Sequence, residues 1–161
     1  MELALGKALD VAAKYPDAYV IGADTIVTVD GKQLAKPADM QEAHDMLRTL
    51  SGKEHAVTTG VAVVNQSKGI QLVDADWSAV HFKPYDADAV ARYVDTGDSY
   101  DKAGAYGIQS GAAPLISHIE GHYDTIVGLP THVLVRMLKE LGITAYRAAP
   151  LPTVKQLFGG D

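Results

Sequence analysis

Ala18-Tyr19-Val20-Ile21-Gly22-Ala23-Asp24-Thr25-Ile26-Val27-Thr28-Val29, followed by Asp30-Gly31, is the stretch on which the fold turns. Aliphatic and β-branched residues dominate it, as suits a pleated and largely buried strand. Asp30-Gly31 is a strong signal for a two-residue hairpin, so the chain should return over Lys32 to Ala35 and stop at Lys36-Pro37. Asp24 breaks the pattern. A carboxylate inside an apolar strand is costly to bury unless it has a cation or a chemical role. A functional Asp24 and a satisfied structural one stand side by side on this reading. Gly22, two residues earlier, suggests a bulge that re-aims the carboxylate, and Lys36 at the hairpin end should lie near it.

Toward the N-terminus, residues 2–14 read as a helix, with Leu5, Ala8, Leu9 and Ala12 at helical spacing and Pro16 ending the pattern. Lys7 on this helix reads, by itself, as a solvated side chain. Toward the C-terminus, Asp39 caps a helix running to Leu50 with an apolar stripe, and Ser51-Gly52 ends it. His55 to Val64 and Ile70 to Phe82 read as antiparallel strands around a turn at residues 65–69, and Pro84 closes the second. Asp86 caps a helix to Thr96, Ala113 to Ile119 is a short strand, and Pro130 opens a helix to Leu141. Residues 145–161 predict a loosely packed tail. Strands and helices alternate, with two hairpins, so the expected class is α/β with a mixed sheet flanked by helices. No repeat or linker divides residues 1–161, which predicts one domain.

Asp101-Lys102-Ala103-Gly104-Ala105-Tyr106-Gly107-Ile108-Gln109 carries no regular period. Its glycines let a ligand approach the backbone. Lys102 offers a point charge for phosphate, and Gln109 a paired donor and acceptor for an amide or imide edge. The plain alternative is a surface turn. His44, His55 and His81 stand at no ligand spacing and are not read as metal ligands.

The net charge of −6 argues against a nucleic-acid polymer as partner, although a nucleotide needs only a local positive pocket. With no cysteine there is neither a disulfide nor a thiolate metal site. No signal peptide and no membrane-length apolar run is seen, which points to the cytoplasm.

Five blocks then occur in order: Gly22-Ala23-Asp24-Thr25, Ala35-Lys36-Pro37, Leu50 through Val57 (Leu-Ser-Gly-Lys-Glu-His-Ala-Val), Asp101 through Gln109, and Gly128-Leu129-Pro130. Together they closely resemble the Maf family of nucleoside triphosphate pyrophosphatases, over residues 2 to about 144. Gly-Ala-Asp-Thr and Ala-Tyr-Gly-Ile-Gln look like the branch that hydrolyses dTTP and UTP.

The resemblance implies an elongated mixed sheet with a central cleft, similar to the inosine-triphosphatase type. It implies hydrolysis of a nucleoside triphosphate to the monophosphate and pyrophosphate, with Mg2+ or Mn2+. It gives Asp24 the place of the proton acceptor, Thr25 and Gln109 the places tied to base selection, and Lys36, Lys102 and Lys7 places near phosphates. Asp24 and Asp101 would hold the metal. A homodimer is compatible with the family. The family's leading strand and Ser-x-Ser-Pro-Arg-Arg loop are not seen here. That leads to two expectations: a shortened piece of an otherwise normal enzyme, or a divergent short form with weak or absent catalysis, in the latter case a nucleotide-binding or regulatory protein, since lysine cannot reproduce bidentate arginine contacts.

Overall fold

In the computed structural model, which describes residues 1–145, β1 spans Val20–Val29 and turns directly into β2, Lys32–Leu34. Asp30 and Gly31 have φ of 49° and 75°, the left-handed pair a tight hairpin requires. The remaining elements are α1 (Glu2–Ala12), α2 (Met40–Leu50), β3 (Glu54–Asn65), β4 (Ile70–Phe82), α3 (Ala87–Val94), β5 (Ile116–Glu120), α4 (Tyr123–Val127) and α5 (Thr131–Glu140). Short 3-10 turns cover Asp98–Asp101, Ala103–Ala105 and Ala113–Leu115. The expected tail, beyond its first residue, lies outside the described residues.

The strands form one sheet in the order β2-β1-β3-β4-β5, flanked by helices as expected. Strand direction differs from the mixed sheet read in the sequence, because every pairing is antiparallel. β2 and β3 do run parallel to each other, but they sit on either side of β1. The helical connection through α2 therefore spans β1 and joins no neighbours.

Gly22 makes no bulge. The β1–β3 register is unbroken from Val20↔Val64 to Thr28↔Ala56. Gly22 instead admits α1: a Cβ there would lie 2.9 Å from the Ala8 Cβ and would overlap the Ala4 carbonyl oxygen. The buried stripe of α1 is accordingly Ala4, Ala8 and Ala12, while Leu9 is exposed. Close approach selects small side chains over the leucines that dominate the apolar count. This tight docking sets Lys7 beside β1.

The opposite sheet face carries the larger core. Val27, Val57 and Val80 pack there against α2 and α3, through Leu47, Leu50, Val90 and Val94. Farther along β3 on the same face, Val61 and Val63 pack against Val133, Leu134 and Met137 of α5. Thr59 lies between these two clusters. Strand β5 begins later than expected, since Pro114 helps set a 3-10 turn first. Helix α4, between His122 and Gly128, was not anticipated.

Candidate active site

Asp24 and Thr25 are consecutive on β1, so their side chains leave opposite faces of the sheet. Both line one cavity of about 560 Å³. Lys7 enters it from α1, and Lys36 from the segment after β2. Asp101, Lys102 and Gln109 enter from the loop that follows α3. The residues singled out in the sequence therefore meet, although more than a hundred positions separate Lys7 from Gln109.

Lys7 is ion-paired. Its Nζ donates to Asp24 Oδ1 at 2.6 Å and more weakly to the Ala23 carbonyl at 3.4 Å. Asp24 Oδ2 has no hydrogen-bond partner among the described residues. Lys36 is exposed at the cavity and has no ion pair among the described residues.

The loop is held by a residue the sequence did not single out. Asp98 accepts from Lys102 Nζ at 2.7 Å, from Ser110 Oγ at 2.6 Å and from the Tyr93 hydroxyl. The Tyr93 oxygen in turn accepts from the Gly107 backbone at 2.8 Å. These bonds tie both ends of the loop to α3. Partial burial raises the Asp98 carboxyl, but its bonds to Lys102, Ser110 and Tyr93 outweigh this and leave it below the usual carboxylate value. Lys102 also donates to Asp101 at 2.8 Å and to the Asp98 carbonyl at 3.1 Å. Partial burial pushes its ammonium down, yet the bonds to Asp101 and Asp98 prevail and hold it above the ordinary lysine value.

Two glycines are required here for steric reasons. A Cβ on Gly107 would lie 2.5 Å from Lys102 Cε, so the lysine stem runs over bare backbone. Gly104, at φ 71°, would bring a Cβ to 3.1 Å from Val27 Cγ1, and its N–H donates to the Ala35 carbonyl. The loop thus rests directly on β1 and on the segment carrying Lys36. Deeper in, Tyr106 meets buried His55, with hydroxyl to Nε2 at 2.7 Å. Burial, helped by the charge of His81, pushes His55 down to about 4, so it is a neutral core residue near neutral pH.

Thr25 sits in a row of polar residues across the sheet. In register it faces Thr59 of β3, which faces Asp76 of β4. Thr25 Oγ1 and Thr59 Oγ1 are 2.8 Å apart, and Thr59 Oγ1 donates to the Thr125 carbonyl of α4 at 2.7 Å. A hydroxyl has one proton. That of Thr59 is committed to Thr125, so Thr25 is the donor in the Thr25–Thr59 bond. Thr25 therefore offers the cavity acceptor lone pairs only. Thr59 gave no signal in the sequence beyond being polar in an apolar row.

An elongated sheet with a lysine-rich, carboxylate-bearing cleft is the architecture the Maf blocks anticipate. The family of Maf-like proteins matches the chain over residues 1–141, and the chain belongs to that family. Among its relatives is a dTTP/UTP pyrophosphatase of Symbiobacterium thermophilum, 51% identical over 140 residues, which cover 87% of this chain and 71% of that protein. Another from Pyrococcus furiosus is 44% identical over 142 residues, covering 88% of this chain and 73% of that one. A third, from Shouchella clausii, is 46% identical with the same coverage.

Proposed function

We propose that this protein is a nucleoside triphosphate pyrophosphatase that hydrolyses dTTP and UTP to the monophosphate and pyrophosphate. The observation that carries this reading is the single cavity shared by Asp24, Lys7, Lys36, Lys102, Thr25 and Gln109. The names of the relatives support the substrate class.

In the proposed reaction, water attacks the α-phosphorus, the bond to the bridging α–β oxygen breaks, and pyrophosphate leaves. Asp24 accepts the proton that the water gives up. Lys7 orients that carboxylate, while Lys36 and Lys102 complement the triphosphate charge. Such catalysis rests mainly on positioning and charge neutralisation. Thr25 and Gln109 read the base. The imide N3–H of uracil or thymine donates to the acceptor-only Thr25, and the Gln109 amide NH2 donates to a ring carbonyl beside it. Cytosine has a lone pair at N3 and meets the Thr25 oxygen without a proton between them.

Asp24 and Asp101 offer the carboxylate donors a hard ion such as Mg2+ or Mn2+ takes. Each is bonded to its lysine through Oδ1, which leaves the second oxygen of each carboxylate as the kind of donor such an ion takes, so the donor chemistry fits. A bound ion would add positive charge against the phosphates.

The test is Asp24→Asn, which should abolish pyrophosphate release while circular dichroism stays native. Wild-type turnover in that variant overturns the assignment. Binding of UTP by the unmodified protein with no pyrophosphate formed, across metals and pH, would favour a regulatory nucleotide-binding role instead. No described helix is long and apolar enough to cross a membrane. The proposed substrate places the enzyme with the cytoplasmic nucleotide pool. Homodimerisation is a separate part of the proposal, read by light scattering on dilution.

A further inference from the structure

We propose that Asp76, His122 and His132 form a site for a borderline divalent transition metal of the Zn2+, Co2+ or Ni2+ class. None of the three lines the cavity. They come from three elements: Asp76 from β4, His122 from the residue before α4, and His132 from the first turn of α5.

The donor geometry suits a small ion. Asp76 Oδ2 lies 3.1 Å from His122 Nδ1 and 3.5 Å from His132 Nε2, and all three donor atoms fall within 4.8 Å of one another. A tetrahedral ion with ligands at about 2.0–2.1 Å separates its donors by roughly 3.3 Å. The two rings lie 3.9 Å apart at 32°, and both are exposed, so they can turn toward a common point without moving the core. Two imidazoles with one carboxylate select these metals over Mg2+, which prefers oxygen and keeps its waters.

The surroundings hold the three residues in place before any ion arrives. Ser78, buried on β4 two residues beyond Asp76, donates to the His122 carbonyl and accepts from the His122 backbone N–H at 2.8 Å. The Thr125 hydroxyl donates to Asp76 Oδ2 at 2.5 Å, orienting the carboxylate as an outer-shell partner does in metal sites. Asp124 binds Thr131 through the latter's backbone N–H at 2.9 Å, joining α4 to the turn of α5 that bears His132. A metal here clips α4 and α5 to β4. Asp76 also ends the polar row that begins at Thr25, so the clip reaches the cleft through Thr125 and Thr59.

Co2+ is the probe, because tetrahedral nitrogen-containing sites give visible absorption far stronger than octahedral all-oxygen ones. Titration of the metal-free protein should produce these bands, Zn2+ should displace them, and either ion should raise the melting temperature by mass action. His122→Ala and His132→Ala, checked by circular dichroism, should each weaken Co2+ binding at least about 10-fold. Asp24→Asn should keep the bands, and so should His118→Ala, which alters a second histidine cluster formed with His81 and Glu120. If either alanine variant folds poorly, paramagnetic shifts of the His122 and His132 ring protons in the unaltered protein answer the question. Absence of bands in the wild type, or bands and ring shifts that trace to His81 and His118, overturns the proposal.

Discussion

Replacing Thr59 with valine should relax the choice between uracil and cytosine. Thr59 is fully buried, and valine keeps its branched shape while losing the hydroxyl. Two bonds disappear, at 2.8 Å to Thr25 and 2.7 Å to the Thr125 carbonyl. The stranded carbonyl should lower stability by about 1–3 kcal/mol. The Thr25 proton, no longer committed to Thr59, becomes free to turn into the cavity. In the native protein a cytosine N3 lone pair facing an acceptor-only oxygen forfeits a hydrogen bond inside the cleft. That penalty is about 1–3 kcal/mol, or roughly 5- to 150-fold in kcat/KM. Thr59→Val should lower the UTP-to-CTP ratio by that factor, mainly through faster CTP hydrolysis, and Thr59→Ser should restore it. The assay is pyrophosphate release with each substrate at matched metal and temperature. A folded Thr59→Val protein with normal UTP turnover and an unchanged ratio would refute the proton assignment at Thr25.

Gly22→Ala should force α1 away from the sheet, since the new methyl meets Ala8 and the Ala4 backbone. A loss of about 1–3 kcal/mol in denaturant stability is expected, together with reduced turnover as Lys7 leaves Asp24. Acid stability should depend on His55, whose folded value of about 4 lies below the 6.5 of the open chain. Between those values the unfolded state binds the extra proton, so stability is full above pH 6.5 and falls as pH drops toward 4. The loss is about 3 kcal/mol at most, and His55→Gln should flatten it in chemical denaturation across that range.

What the sequence disclosed and what it hid divide along a physical line. Asp24, Lys102 and Gln109 stood out because each is locally costly or conformationally odd: a charge in an apolar strand, or polar groups among clustered glycines. The hairpin at Asp30-Gly31 and the caps at Asp39 and Asp86 were legible for the same reason, since capping is a matter of adjacent residues. Lys7 came only from family resemblance, because a lysine on a helix looks solvated until tight packing brings the helix to Asp24. Thr59 and Asp98 were invisible. A threonine in a strand and an aspartate after a glycine are ordinary, and their roles arise from register and loop closure between distant segments. In the α1 stripe Ala8 and Ala12 were read as they stand, but Leu9 was misplaced and Ala4 missed, because periodicity weighs leucine above alanine whereas a backbone approach at Gly22 reverses that order.

Lys102 engages three acceptors within the protein at rest. Its hold on Asp98 is shielded and networked, but Asp101 is largely exposed and readily surrendered. An arriving phosphate must therefore evict a resident carboxylate before it can claim the ammonium. A lone inorganic anion brings little with which to compete. A triphosphate that engages Lys36 and Lys102 together, as proposed above, brings more charge to that exchange and so competes for Lys102 better than a lone anion does.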